Sequence, residues 1–212
     1  MKRFRLSQRD MSIIRSLTRQ VRLMTCRQVA EIWWKNGRGP KECLDRLNVL
    51  EEFGWIEQEI LLVHPLLHPD VPLVRWKPGD HRPNFEGVAQ MSRGRWSAAA
   101  TPTEVVAASR KAANLMGSTS WGMPRSEHWN HDLHLSQVFV DYHRSAPVLA
   151  QHWVGEHVLP KAGHRIKDPD AFIVDASGKV RLVVESAGRY GVKQVESFHR
   201  HCVRFRLPYE LW

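Results

Sequence analysis

The hydrophobic period of this chain changes at Gly54, and that change restricts its fold more than any other feature. Before Gly54, apolar residues recur at helical spacing; after it, the pattern is that of strands. Met11, Ile14, Leu17 and Val21 predict a first helix from about Ser7 to Arg19, with Ser7 as N-cap and Asp10 in the first turn. Thr25 and Gln28 form a capping box for a second helix, Cys26 to about Trp34, whose buried side is Val29, Ile32 and Trp33. Asn36 to Gly39 reads as a turn, and Pro40 suits the first position of a third helix. That helix buries Cys43 or Leu44, Leu47 and Leu50, and ends at Gly54.

Trp55 to Val63 is rich in strand formers, His64 to Asp70 is broken by prolines, and Val71 to Trp76 reads as a second strand. Three short helices followed by a hairpin predict a winged helix-turn-helix over residues 1–77, with the third helix entering a major groove. Charge supports this. Residues 1–46 hold twelve basic and four acidic side chains, which leaves nineteen basic and eighteen acidic for the rest of the chain. Charge gathered in one segment points to a polyanion docking there. On that segment Lys41, Arg46 and Asn48 of the third helix, with Lys35 and Arg38 in the preceding turn, are the expected DNA contacts. Trihelical units also serve as protein-protein modules, and a basic surface can simply be a solvated one.

Residues 78–125 read as a linker. Thr101 to about Leu115, ending at Gly117, is expected to be a connector helix. Its apolar side, Val105, Val106, Ala108, Ala112 and Leu115, suits either self-association into a homodimer or packing on the chain's own C-terminal domain. From Asn130 the signal is strong again. Leu135, Val138, Phe139 and Tyr142 predict a helix over about 130–144, followed by strands at 152–158, 170–174 and 180–184. A helix over 192–205 and a last strand at 209–212 complete the order α-β-β-β-α-β for residues 126–212. The fold class is therefore α+β.

The chemistry suggested by that order lies in two acids. Asp170 begins one strand and Glu185 ends the next, so pairing brings them side by side. Two such carboxylates can hold Mg or Mn, activate water and support a leaving phosphate oxygen. Pro169-Asp170 followed by Glu185-Ser186-Ala187 has the order and spacing of the PD-(D/E)XK nuclease signature, on a core of the restriction-endonuclease type. Alanine stands where that pattern has lysine. Lys193, or Arg189, would have to reach back to supply the cation, with Tyr190 and Gln194 lining the same cleft. Ordinary polar strand ends are the alternative reading of Asp170 and Glu185.

Taken together, Leu6 to Asp10, Leu47 to Ile56, His131 to Tyr142, Pro169-Asp170 and Val183 to Glu185 resemble the bacterial replication-relaxation proteins over most of the chain. The resemblance implies a cytoplasmic DNA-binding protein of plasmids and other mobile elements, acting as a regulator of transcription or an accessory of replication or transfer. Members of that family carry an acid two residues after the Glu, and Ala187 departs from this as well. DNA binding would need no cofactor; Mg or Mn enters only if the acid pair cleaves. The leading expectation is thus a DNA-binding protein with an inactive nuclease-like domain, and the alternative is a Mg-dependent endonuclease targeted by its winged helix.

The remaining signals are weaker. His128, His131 and His134 form H-x-x-H-x-x-H, which on a helix lets two share a zinc ion but fits three badly. Cys26, Cys43 and Cys202 are widely spaced packing thiols. No apolar run is long enough to span a bilayer, so no membrane partner is expected.

Overall fold

The computed structural model describes residues 4–34, 39–67, 71–159 and 169–212, and the chain has a mixed α+β fold. Three helices come first: α1 (Gln8–Arg19), α2 (Cys26–Trp33) and α3 (Gly39–Glu52). The expected capping box at Thr25 and Gln28 forms, and Ser7, expected only as an N-cap, makes one as well. Ser7 Oγ accepts from the Asp10 N–H at 3.2 Å, while Asp10 Oδ2 accepts from the Ser7 N–H at 2.7 Å. Thr25 and Gln28 make the same reciprocal pair at 3.1 and 2.9 Å. Gln28 Nε2 also donates to the Leu133 carbonyl at 3.0 Å, so one side chain caps α2 and ties it to the later helix α6 (Trp129–Ser145). Beyond α3, Gly54 takes φ +70°, a left-handed conformation open to glycine at little cost.

The first sheet is antiparallel, in the order β1 (Met24–Thr25), β4 (Thr101–Ala108), β2 (Ile56–Val63). Two expectations are corrected here. Val71 to Trp76 does not pair with β2; its ordered part, β3 (Val74–Trp76), is the edge strand of the second sheet. Val74 and Trp76 alternate into an apolar cluster with Phe198 and Tyr209, where Trp76 stacks on Tyr209 at 5.6 Å. Between them, Arg75 pairs with Glu210 across the ladder at 2.8 Å. The alternation was legible, but a period of two says which face is buried and not which strand lies beside it.

The expected helix over Thr101 to Leu115 is instead the strand β4 followed by the short helix α5 (Arg110–Met116). Val105 and Val106 favour a pleat, and the capping residue is Ser109, whose Oγ accepts the Ala112 N–H at 3.2 Å. Pro102 is tolerated because β1 reaches only Val105 and Val106, leaving that stretch of β4 with one open edge. The apolar residues offered for self-association are used within the chain. Val106, Ala108 and Ala112 join the helical core, Val105 packs with Leu133, and Leu115 is half exposed.

Past α6 come a short helix α7 (Pro147–Gln151) and the strands β5 (Trp153–Gly155), β6 (Ala171–Val174) and β7 (Val180–Glu185). The helix α8 (Val192–Phe205) then returns the chain to β8 (Tyr209–Leu211). The second sheet has the order β3-β8-β7-β6-β5, with β7 and β8 parallel and the other pairs antiparallel. Residues 64–100, between β2 and β4, contribute β3 and a helix α4 (Phe85–Arg93), whose Phe85 and Val88 pack against α8. One apolar cluster runs from Ile13, Leu17 and Leu47 through to Val138, Phe139 and Trp153, so α1–α3 and α6 share a core. No helix among the described residues is long and apolar enough to cross a membrane.

Candidate functional site

The residues expected to contact DNA fall into three groups. Lys35 and Arg38 lie outside the described residues. Lys41 and Asn48 are exposed on α3, where Asn48 Oδ1 accepts from Gln58 Nε2 at 3.0 Å. Arg46 is committed elsewhere. Its guanidinium clasps Asp10 through Nε–Oδ1 at 2.9 Å and Nη2–Oδ2 at 2.5 Å and lies over the Phe4 ring. Asp10 is fully buried, and burial pushes its pKa up, but the Arg46 and Ser7 hydrogen bonds outweigh that and hold the carboxyl below its ordinary range. Arg46 therefore locks α1 to α3. The same outer face of α3 carries Glu42, Asp45 and Glu52, so Lys41 is its one exposed cation. Arg9 of α1 stacks over Trp34 at 4.4 Å.

The second candidate site is at the β6–β7 ladder. Pairing of Ala171 with Val184 sets Asp170 opposite Glu185, and the Asp170 N–H donates to Glu185 Oε2 at 3.2 Å. The two acids adjoin, as their spacing predicts. Neither is open. Asp170 Oδ2 accepts from the Ser186 N–H at 2.7 Å and faces His131 Nε2 at 3.0 Å. Glu185 is fully buried and its Oε1 accepts the Tyr190 hydroxyl.

The expected cations do not reach this pair. Ala187 is buried behind the acids, with its N–H on the Trp212 carbonyl at 2.7 Å. Arg189 turns away, donating to the carbonyls of Arg95 at 3.3 Å and Trp96 at 2.8 Å. Lys193 is exposed on α8 and makes no ion pair with Asp170 or Glu185, while Gln194 caps its own helix by accepting the Gly191 N–H at 2.7 Å.

Residues not singled out for this site complete it. His131 sits between Asp170 and Asp132, whose Oδ1 is 3.3 Å from Nδ1. Burial works against the charged imidazole, but the two carboxylates overcome it and raise the pKa well above 6.5. His134, one turn on, meets Ser186 Oγ at 2.8 Å. Burial, then the charges of Arg95 and His131, push its pKa down to about 3, so it is neutral. Trp96, in the left-handed conformation at φ +53°, packs its ring edge-on to His134 and 3.5 Å from the position a Cβ of Gly188 would take. Ser92 adds a hydrogen bond to the Tyr190 carbonyl at 2.9 Å. The segment 92–96 from the β2–β4 insertion thus packs beside the acids.

The histidine motif is legible in sequence, but its members serve different partners, Asp170 and Ser186, and not one metal. Nothing local marks Arg95 or Trp96, because their partners lie more than ninety residues away.

A divalent cation at Asp170 and Glu185 does not fit this arrangement. Mg keeps near-octahedral coordination and several waters. Here Asp170 Oδ2 and both Glu185 oxygens are met by imidazole, backbone and phenol donors, and the void beside Asp170, lined by Arg22, His131 and Glu156, is about 10 Å³. That is roughly the space one water needs. Comparison with protein-family models, with curated proteins and with solved structures gave no match.

Proposed function

We propose that this chain binds double-stranded DNA through its N-terminal helices and carries, behind them, a nuclease-like unit that does not cleave. One observation carries the reading: with Asp10 and Glu31 each paired to an arginine, the described residues of the first segment keep more unpaired cations than the two unpaired acids, Glu42 and Asp45. Asp10 is taken by Arg46 and Glu31 by Arg27, whereas Arg5, Arg15 and Lys41 are exposed with no ion pair among the described residues, and Arg9 lies on Trp34. Three helices followed by an antiparallel ladder are the parts of a winged helix, and α6-β5-β6-β7-α8-β8 is the order of a restriction-endonuclease-like core. The described DNA contacts would be Arg9 and Lys41 at the start of α3, with Arg46 holding the helices in place. Its role as an accessory or regulator of a mobile element follows from the resemblance to replication-relaxation proteins.

The endonuclease alternative draws on the adjacency of Asp170 and Glu185. Against it stand Ala187 at the position where the pattern has lysine, Arg189 and Lys193 turned to other partners or to solvent, and the commitment of both acids to internal donors. Losing one preorganised group beside a scissile phosphate costs a hundredfold to a thousandfold in rate.

The test is duplex binding by the full chain at several salt concentrations. Wild-type affinity should fall steeply with salt, and Arg9→Gln/Lys41→Gln should flatten the slope by about one per phosphate contact removed. Asp170→Asn and Glu185→Gln should bind as wild type does. Absence of duplex binding would refute the reading; Mg- or Mn-dependent nicking abolished by either acid substitution would establish the endonuclease.

A further inference from the structure

The helix α8 has a sharply divided surface. Val195, Phe198, His199 and Cys202 are buried on one side, in the cluster with Val183 and Tyr209 or against Trp76. At roughly 100° per residue, Lys193, Ser197, Arg200 and Arg204 fall within about 60° of one another on the opposite side. All four are exposed. The three cations form a row about 16 Å long at 1.5 Å rise per residue.

An amphipathic surface helix ordinarily shows both signs of charge, often paired four residues apart. This row has cations only. The single acid of α8, Glu196, lies at the edge of the row, about 40° from Arg200, and is half-buried with no ion pair to it. Among the described residues none of Lys193, Arg200 or Arg204 makes an ion pair; Arg204 only leans over Phe205, at 5.4 Å. The contrast with α3, whose outer face mixes Lys41 with three acids, is direct. Aligned cations without counter-charges repel one another, and an anionic polymer with regular charges relieves that repulsion along its length.

We propose that the outward face of α8, through Lys193, Arg200 and Arg204, docks on the phosphodiester backbone of a nucleic acid. This rests on the reading that the chain works on nucleic acid, and it adds a second contact surface on the C-terminal half. Each cation that neutralises a phosphate releases condensed counterions, so the contact is strong at low salt and indifferent to sequence. Lipid is the poorer occupant, because the apolar side of α8 is sunk in the core and cannot enter a bilayer.

The experiment compares the full-length wild type with Lys193→Gln/Arg200→Gln/Arg204→Gln on a 30-base-pair duplex of arbitrary sequence, by fluorescence anisotropy between 50 and 200 mM salt. The neutral variant should lose roughly tenfold in affinity per contact near 0.1 M salt, and its slope should flatten by about 0.9 per contact. Ser197→Glu, one added charge within the row, should weaken binding in the same direction, and the swap Lys193→Arg/Arg200→Lys/Arg204→Lys should preserve it. Wild-type affinity and slope in both the neutral and Ser197→Glu proteins would overturn the proposal. If Arg9→Gln/Lys41→Gln then weakens binding, the N-terminal reading survives that failure. Wild-type protein that ignores the duplex but binds vesicles of phosphatidylglycerol and phosphatidylcholine overturns both.

Discussion

Lowering the pH from 7 to 5 separates His131 and His134 of α6. His134 has its pKa pushed down to about 3 by burial and by Arg95 and His131, against 6.5 in the unfolded chain. Its neutral form therefore contributes stability that is present above pH 6.5 and is lost as pH falls toward 3. His131 has the opposite sign: its raised pKa gives stability that is present below 6.5 and is lost as pH rises through the raised value. Between pH 6.5 and 5, of these two only His134 changes the balance, and the lowered pKa of His199 acts alike in wild type and variant. The unfolded state binds one proton that the folded state does not, so stability falls by about 1.4 kcal/mol per pH unit, or about 2 kcal/mol by pH 5. Carboxylates such as Asp10 add their own pH dependence, but they are shared by wild type and variant and cancel between them.

Urea denaturation followed by tryptophan fluorescence measures this. From pH 7 to pH 5 the wild-type midpoint should fall by about 1 M more than that of His134→Asn, which keeps a polar group near Ser186 but cannot titrate. Equal shifts in the two proteins would refute the argument, since they would mean that His134 takes up its proton without unfolding.

Two further perturbations probe the fold directly. Arg46→Met should cost about 2–3 kcal/mol by thermal or urea denaturation, because it leaves Asp10 buried and unpaired; a protein within 0.5 kcal/mol (roughly the additivity error) of wild type would contradict the interlocking role. Gly188→Ala should cost about 1 kcal/mol, from the left-handed φ of +53° and not from crowding, since Trp96 lies at ordinary contact distance. Unchanged stability would show that the turn beside the acids is free to rearrange.

The sequence by itself determined the local elements and the placing of the two acids. Helices α1 and α2 begin where capping residues and apolar spacing put them, because a cap and a helical stripe are written within a few residues. Asp170 and Glu185 meet because Gly178, at φ +80°, turns a short hairpin whose length sets the register. Tertiary structure decided the rest. Residues 74–76 could pair with any complementary edge and chose β8; Thr101–Ala108 became a strand because β2 and β1 flank it. Arg46, read as a free cation, is neutralised by an aspartate thirty-six residues away, and the acid pair is bordered by Arg95 and Trp96 from an insertion between two other strands. Charge and periodicity report what a residue can do within its own segment. Whether a carboxylate is buried beside it, or a loop packs over it, depends on contacts between distant segments, which carry no local signal.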